Sequence, residues 1–130
     1  LAFDIDADNI HCSFHKSGRV CYSCIERAFV WAKKMRRELL KDFNRIEIVY
    51  SGAGFHVHVF DRNAFLLSIK ERKILNKKFS SYPIDPWVSE GEIYLIRMPY
   101  SLNGFVSRKV LPVKNFKFVK EKTFPKFLKI

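Results

Sequence analysis

The sequence predicts a mixed α/β fold, and three stretches support this. Residues 1–6 read Leu-Ala-Phe-Asp-Ile-Asp and alternate apolar with acidic side chains, the pattern of a half-buried strand. Residues 23–43 place apolar side chains at helical spacing along one stripe. Residues 45–50 and 55–60 are rich in β-branched and aromatic side chains and flank a short glycine-containing turn, which predicts a hairpin. With 130 residues and a 48% hydrophobic composition, the chain has enough apolar surface for one domain.

The charge balance favours a polyanionic partner. Lys and Arg number 24 against 13 Asp and Glu, a net charge of +11, and nucleic acid is the first candidate for such a partner. No apolar run reaches 18 residues, so we expect no membrane span. Three cysteines are a poor basis for a disulfide framework and fit metal ligands or free thiols in a reduced, intracellular protein. Because the chain begins at Leu1 and directly in a strand, we expect a fragment or a chain that has lost its beginning.

The first strand carries a pair of carboxylates. Successive strand residues point to opposite faces, so Asp4 and Asp6 share one face while Phe3 and Ile5 share the other. Two neighbouring carboxylates repel each other unless a cation joins them, and Mg²⁺ prefers oxygen ligands. The alternative is an edge strand or turn with two solvated aspartates.

A cysteine and histidine cluster follows over residues 11–24. Cys12, His15, Cys21 and Cys24 have the spacing C-x2-H-x5-C-x2-C, which is typical of a tetrahedral zinc knuckle. His11 could replace His15 as the fourth ligand. A site with four protein ligands has no open position, so we predict a structural zinc. The alternative is a set of buried thiols beside a solvated histidine.

The turn of the predicted hairpin, residues 51–54, reads Ser-Gly-Ala-Gly. Its backbone N–H groups can form a concave nest for phosphate oxygens. Ser51 adds a hydroxyl donor and His56 an imidazole donor. The alternative is an ordinary hairpin with two half-exposed histidines, His56 and His58.

The second half of the chain predicts further helix and strand. We expect a helix over residues 61–79, a strand over 92–97 and another strand over 106–113. The tail from residue 115 to residue 130 alternates phenylalanine with lysine, a composition that can bind single-stranded nucleic acid. We favour the other interpretation of the tail, in which the phenylalanines pack on the domain and the lysines are solvated.

Four segments resemble one protein family in order. They are residues 3–6, the Cys/His cluster, residues 50–58 (Tyr-Ser-Gly-Ala-Gly-Phe-His-Val-His) and residues 84–104, which contain Ile-Asp-Pro-Trp-Val and Leu-Ile-Arg-Met-Pro-Tyr-Ser-Leu-Asn-Gly. Together they resemble the catalytic small subunit of archaeal and eukaryotic DNA primases, the archaeal form above all, as a minimal or truncated member. The resemblance implies a primase-polymerase fold: a largely antiparallel central sheet with flanking helices, a zinc knuckle, and a single catalytic domain over residues 1–130.

The resemblance also implies site residues. The catalytic residues, which hold Mg²⁺ or Mn²⁺, are Asp4, Asp6 and Asp85. The nucleotide-binding residues are Ser51, Gly52, Gly54, His56, Arg97 and Asn103. The template-binding residues are Arg108 and Lys109, and the zinc ligands are Cys12, His15, Cys21 and Cys24. Two segments depart from the family pattern: the turn has Ala53 and Gly54 where an arginine is usual, and Asn103 stands in place of a histidine.

The implied activity is template-directed synthesis of short RNA or DNA primers on single-stranded DNA, by two-metal nucleotidyl transfer from nucleoside triphosphates. A primase large subunit is the implied partner, and the implied location is the cytoplasm, or the nucleus if the source is eukaryotic. Three alternatives compete with this hypothesis. They are a catalytically silent accessory subunit, a primase-polymerase of repair or plasmid replication, and a zinc-knuckle RNA-binding protein, which leaves the three aspartates unexplained.

Overall fold

A computed structural model describes residues 1–12, 21–91, 95–115 and 117–127. The strands are β1 (Ala2–Asp6), β2 (Ile46–Tyr50), β3 (Gly54–Val59), β4 (Ile84–Asp85), β5 (Leu102–Asn103), β6 (Arg108–Lys109) and β7 (Leu111–Pro112). The α-helices are α1 (Tyr22–Leu39), α2 (Arg62–Phe65), α3 (Ile69–Lys78) and α4 (Pro86–Glu90). Short 3-10 helices follow β1, at Ala7–Asn9, and lie in the tail, at Lys120–Thr123.

The predicted mixed α/β architecture is confirmed. Five strands form one sheet in the order β4-β1-β3-β2-β7, and the four pairings within it are all antiparallel. The predicted hairpin is β2 and β3, which pair from Ile46 opposite Val59 to Tyr50 opposite Phe55. β5 and β6 form a separate two-stranded antiparallel sheet.

The hydrophobic core lies between α1 and one face of the five-stranded sheet. The predicted helical stripe is buried, and the Phe29 ring packs 5.1 Å from the Phe55 ring of β3. Phe3 of β1 is fully buried and meets Phe79, at the end of α3, edge to face at 5.4 Å. α1 ends at Leu39, before the predicted end at residue 43, although Phe43 is still buried. The apolar pattern therefore continues beyond the helix that the hydrogen bonds define.

The predicted single helix over 61–79 is two helices, α2 and α3. Ser68 lies between them and caps α3, because its side chain accepts a hydrogen bond from the Glu71 N–H at 3.2 Å. Asp61 precedes α2, and its carboxylate accepts hydrogen bonds from the N–H groups of Asn44 and Arg45 at 2.8 and 2.7 Å. The break between the two helices arises at Ser68, whose side-chain oxygen satisfies a backbone donor of α3 locally.

The two later strand predictions are wrong in part. Residues 92–94 lie outside the described residues, and residues 95–97 form no regular secondary structure. The predicted strand over 106–113 is divided, since β6 pairs with β5 and β7 pairs with β2. Val110 between them is fully buried, and Pro112 fits because β7 is an edge strand. The chain therefore crosses from one sheet to the other at Val110.

The tail follows the favoured packing interpretation at one position and departs from it at another. The Phe118 ring packs against Tyr50 and Phe55, at 4.8 and 5.3 Å. Phe127, in contrast, is 74% exposed. Phe116 and residues 128–130 lie outside the described residues. Among the described residues, no helix is both long and apolar enough to cross a membrane.

Candidate active site

The sheet brings Asp4 between two other predicted site residues. In the β-ladders Asp4 lies opposite Asp85 of β4 on one side and opposite His56 of β3 on the other. Directly opposed residues of an antiparallel pair point to the same face, so these three side chains share the face away from α1. Asp6, two residues along β1, shares it as well. The register therefore brings the three predicted carboxylates and the predicted histidine to one face of the sheet.

Asp6 and Asp85 each also cap a helix. The Asp6 carboxylate accepts a hydrogen bond from the Asp8 N–H at 2.9 Å, and the Asp85 carboxylate accepts one from the Trp87 N–H at 3.0 Å. An aspartate before a helix start, with Pro86 at its first position, is a signal that the sequence already carried. These bonds fix the rotamers of two carboxylates at the ends of their strands.

Asp4 is in a different electrostatic situation. Burial, followed by the negative charges of Asp6 and Asp85, raises its pKa from 3.8 to about 7, and the positive charge of Arg97 opposes the shift. Its Oδ1 lies 3.6 Å from His56 Nε2, beyond hydrogen-bond distance. A bound divalent cation would oppose the charge repulsion from Asp6 and Asp85, which contributes to the raised pKa after burial.

His56 is 4% exposed and is neutral at physiological pH. Burial, followed by the nearby His58 and Arg97, lowers its pKa to about 3. The 3.6 Å separation from Asp4 would be an ion pair only with a protonated imidazole, and the lowered pKa argues against one. His56 Nδ1 is buried and has no hydrogen-bond partner within the described part of the chain. A neutral imidazole can offer one N–H donor, so His56 is suited to a neutral hydrogen bond with a phosphate oxygen.

The Ser-Gly-Ala-Gly turn lies beside this cluster and is tied to β1. Ala7 N–H donates to the Ala53 carbonyl at 2.9 Å, and Ser51 N–H donates to the Gly54 carbonyl at 3.0 Å. Gly54 lies opposite Asp6, and a Cβ there would collide with the Ile5 carbonyl oxygen. Gly54 is thus required by the close approach of the two backbones.

Asn103 lies behind the turn. It is 2% exposed, and its side-chain amide donates to the Ser51 carbonyl at 2.9 Å. Gly52 has a φ of +98°, and a Cβ there would lie 2.6 Å from Asn103 Nδ2. Tyr50 supports the same segment, since its hydroxyl donates to the Gly52 carbonyl at 2.9 Å. The observed contacts of Asn103 hold the turn, and its predicted contact with a nucleotide stays a prediction.

Arg97 is exposed, and its charge acts on both Asp4 and His56, which places it at the same cluster. Its guanidinium lies 5.7 Å from the centre of the Phe105 ring. A role of Arg97 in binding the triphosphate stays a prediction.

The predicted template residues lie on β6, and Arg108 has intramolecular contacts. Its guanidinium donates to the Val106 and Ser107 carbonyls at 3.1 and 3.0 Å and to the Tyr22 hydroxyl at 2.8 Å. It also lies 4.1 Å from the centre of the Phe124 ring. Arg108 thus ties the tail to the start of α1, and Lys109 is half-buried. A template role for either stays a prediction.

The three cysteines come together as the spacing predicts. The sulfur atoms of Cys12, Cys21 and Cys24 all lie within 4.8 Å of one another. Three thiolates around a tetrahedral zinc, at about 2.3 Å each, would be about 3.8 Å apart, so the cluster fits this ion. Burial and hydrogen bonds with the other two cysteines raise the pKa of Cys24 to about 12. Zinc would bind the thiolate forms.

The fourth zinc ligand stays open. His15 lies outside the described residues. His11, the alternative, is exposed, and its carbonyl accepts a hydrogen bond from Arg27 at 3.1 Å. Apart from the cysteine cluster, no group of three His, Cys, Asp or Glu side chains in the described ranges has ligand atoms as close together as a metal site requires. The three aspartates therefore share a face without yet converging on one point.

Sequence reasoning missed the residues that support the site from behind. Asn103 supports the turn through a hydrogen bond to Ser51, 52 positions earlier in the chain. No local sequence pattern predicts such a contact. The capping roles of Asp6 and Asp85 could have been found, since Asp before a helix start is a recognised signal.

The known proteins that resemble this chain are DNA primase small subunits or are named for their likeness to them. The chain is 43% identical over 127 residues to an uncharacterized DNA primase small subunit-like protein of Archaeoglobus fulgidus, covering 87% of this chain and 44% of that protein. The chain is a relative of the DNA primase small subunits. The DNA primase small subunit PriS of Pyrococcus furiosus is 40% identical over 80 residues, covering 56% of this chain and 22% of that subunit. That of Thermococcus kodakarensis is 40% identical over 79 residues, covering 56% and 23%.

This primase relative spans less than half the length of the curated proteins that it matches. No protein-family model matches the chain. The predicted resemblance to primase small subunits is confirmed by these relatives. The activity of a whole primase does not follow from it, because more than half of each relative has no counterpart in the aligned residues.

Proposed function

We propose that this chain carries the nucleotidyl-transfer site of a DNA primase small subunit. On this proposal it joins nucleoside triphosphates into a short RNA or DNA primer on a single-stranded DNA template. The observation that supports it most is the position of Asp4, between Asp85 and His56 in the sheet and two residues from Asp6. Similarity to the primase small subunits supports the same reaction class.

The three carboxylates would hold Mg²⁺ or Mn²⁺. Ions bound there would lower the pKa of the attacking 3′-hydroxyl and stabilise the leaving pyrophosphate. The carboxylates contribute a charge of about −3 when ionised, which suits two divalent cations facing a triphosphate. The capping bonds of Asp6 and Asp85 would keep two of the ligands in place before any ion binds.

The other side chains would position the triphosphate. His56 would donate a hydrogen bond from a neutral imidazole, and Arg97 would supply the positive charge. The turn at Ser51 to Gly54 would add backbone donors, and Asn103 would hold that turn in shape from behind. Catalysis of this kind depends on placement and charge stabilisation, so small displacements of these groups are costly.

The remaining features fit the same proposal. Residues 1–130 would act as one catalytic domain, with the zinc knuckle at 11–24 in a structural role. The template would be single-stranded DNA and the substrates nucleoside triphosphates. A primase large subunit would be the protein partner, as the names of the relatives suggest.

Nucleotide incorporation on a primed single-stranded template tests the proposal. Asp4→Ala should lower incorporation at least about 100-fold with Mg²⁺ or Mn²⁺, because it removes a charge that the ions require. Asp42→Ala is the matched control, since Asp42 is an exposed aspartate just after α1, which packs on the other face of the sheet from Asp4. The control should keep wild-type activity. Equal activity of Asp4→Ala and wild type, with matching circular dichroism spectra, would overturn the proposal.

A second candidate is a catalytically silent module that binds nucleic acid. Two observations favour it: the amide of Asn103 is engaged by the Ser51 carbonyl, and Ala53 offers no guanidinium to a phosphate. This candidate predicts that the wild-type chain binds labelled single-stranded DNA and incorporates no nucleotide with either metal. Incorporation above the Asp4→Ala background excludes it.

A further inference from the structure

A groove runs along the β7 edge of the large sheet, away from the carboxylates. One part is a cavity of about 260 Å³, lined by the aromatic rings of Tyr50, Tyr100 and Phe118. Lys114, Lys117 and Lys122 line the same cavity. A second cavity, of about 390 Å³, shares Tyr100 and Lys114 with the first. We call the two together the β7 groove.

The β7 groove is positively charged. Its lysines 114, 117 and 122 are exposed, and Arg36 of α1 lines the second cavity. Among the described residues that line the two cavities, Glu47 is the one acidic side chain. The groove therefore attracts an anion, and the exposed ring of Tyr100 offers apolar surface to a planar group.

Tyr100 is held in an unusual position. Its backbone φ is +69°, a conformation that residues other than glycine rarely adopt. Its side chain is 74% exposed. Two hydrogen bonds with Val110 fix the backbone here. The Tyr100 N–H donates to the Val110 carbonyl at 2.7 Å, and the Val110 N–H donates to the Ser101 carbonyl at 2.9 Å. These hydrogen bonds hold the turn at Tyr100, and the exposed ring lines both cavities of the groove.

The β7 groove is separate from the candidate active site. β7 lies three strand positions from β1 in the sheet, about 14 Å at a spacing of about 4.8 Å. Tyr50, Ile46 and Ile48 lie on the face that packs against α1, and Asp4 and His56 lie on the opposite face. A ligand in the groove would leave the carboxylates accessible.

We propose that the β7 groove binds a nucleotide unit of a single-stranded nucleic acid, with one base stacked on Tyr100 and the adjoining phosphates on Lys114, Lys117 and Lys122. Interleaved aromatic and basic side chains bind single strands in this way, with little dependence on sequence. The proposal goes beyond the proposed catalytic function and does not depend on it, because binding needs neither Asp4 nor a divalent cation.

Fluorescence anisotropy with a labelled oligothymidylate of about 12 nucleotides, without triphosphates or divalent cations, tests the β7 groove. The triple variant Lys114→Glu, Lys117→Glu, Lys122→Glu should bind at least about 10-fold more weakly, with a shallower salt dependence. Tyr100→Ala should bind about 5-fold more weakly or worse, and Tyr100→Phe should bind as wild type, because stacking needs the ring and not the hydroxyl.

A matched charge reversal on α3 provides the control. Lys70, Lys73 and Lys77 are exposed there, and their replacement by Glu changes the net charge by the same amount. This control should lose less than about 2-fold in affinity, and circular dichroism should show all variants folded. Asp4→Asn should keep full affinity, which separates failure of the groove from failure of the catalytic proposal.

Four results would overturn the proposal. One is absence of oligothymidylate binding by the wild-type chain. Another is an equal loss for the groove and α3 triple variants, which would mean a general charge effect. The third is equally tight binding of duplex DNA with no effect of Tyr100→Ala. The fourth is equal oligothymidylate affinity of the wild type and the Lys114, Lys117 and Lys122 triple variant, which would leave these lysines without a role in binding.

Discussion

Asp4→Asn should stabilise the fold while it removes activity. The folded state raises the pKa of Asp4 from 3.8 to about 7, mainly through burial and then through the charges of Asp6 and Asp85. Ionised Asp4 therefore costs folding free energy, at about 1.4 kcal/mol for each pH unit of pKa change, or at most about 4 kcal/mol. Asparagine has nearly the same shape and no charge, so the variant should recover about 2–4 kcal/mol at pH 8.

The gain should depend on pH with a definite sign. Below pH 3.8 the Asp4 carboxyl is protonated in both the folded and unfolded states, and the wild type suffers no penalty. Between pH 3.8 and about 7 the unfolded state releases the proton first, so wild-type stability falls as pH rises. The difference between Asp4→Asn and wild type should therefore shrink to about 1 kcal/mol at pH 4.5.

Urea denaturation at several pH values, in buffer free of chelator and of Mg²⁺, measures the free energy of unfolding of both proteins. Glu47→Gln removes an exposed carboxylate and serves as the control without a comparable gain. Adding millimolar Mg²⁺ or Mn²⁺ should stabilise the wild type more than Asp4→Asn. A variant that is less stable than wild type at pH 8, or a difference that does not change with pH, would refute the electrostatic reasoning.

Three further predictions concern the turn and the cysteines. Gly54→Ala should destabilise the protein by more than about 3 kcal/mol in urea denaturation, because its Cβ would collide with the Ile5 carbonyl oxygen; stability equal to wild type would contradict that close approach. Asn103→Ala should cost about 1–3 kcal/mol and lower nucleotide incorporation, since the buried Ser51 carbonyl loses its donor; Asn103→Asp, which cannot donate, should behave alike, and an unchanged rate would contradict the positioning role. Cys24→Ser should lose the zinc that elemental analysis finds in wild type, at one ion per chain; wild-type protein without zinc would contradict the knuckle.

Local patterns predicted the large elements well. The apolar stripe of α1 and the alternation in β1, β2 and β3 could be recognised in the sequence, because such patterns indicate which face of each element is buried. The predictions that were wrong concerned segments where helix capping or burial decided the structure. The predicted single helix is divided at Ser68, which caps α3. The predicted strand is divided at Val110, which is fully buried where the chain passes from one sheet to the other.

The candidate site was predictable in its members and not in its geometry. The spacing of Asp4 and Asp6 placed them on one face, and the cysteine spacing predicted the cluster that the structure contains. Asp85 is far along the chain, and only the antiparallel register places it opposite Asp4.

The sequence by itself determined the fold class, the shared face of the two aspartates, the cysteine cluster and the positive charge, because each depends on composition or on the spacing of near neighbours. Tertiary structure alone decided that Asp4 lies half-buried between Asp85 and His56, that Asn103 supports the turn, and that Tyr100 lines one cavity with three lysines. The physical reason is that burial and charge repulsion depend on contacts between residues distant in the chain. Only the paired strands and the packed core fix such contacts.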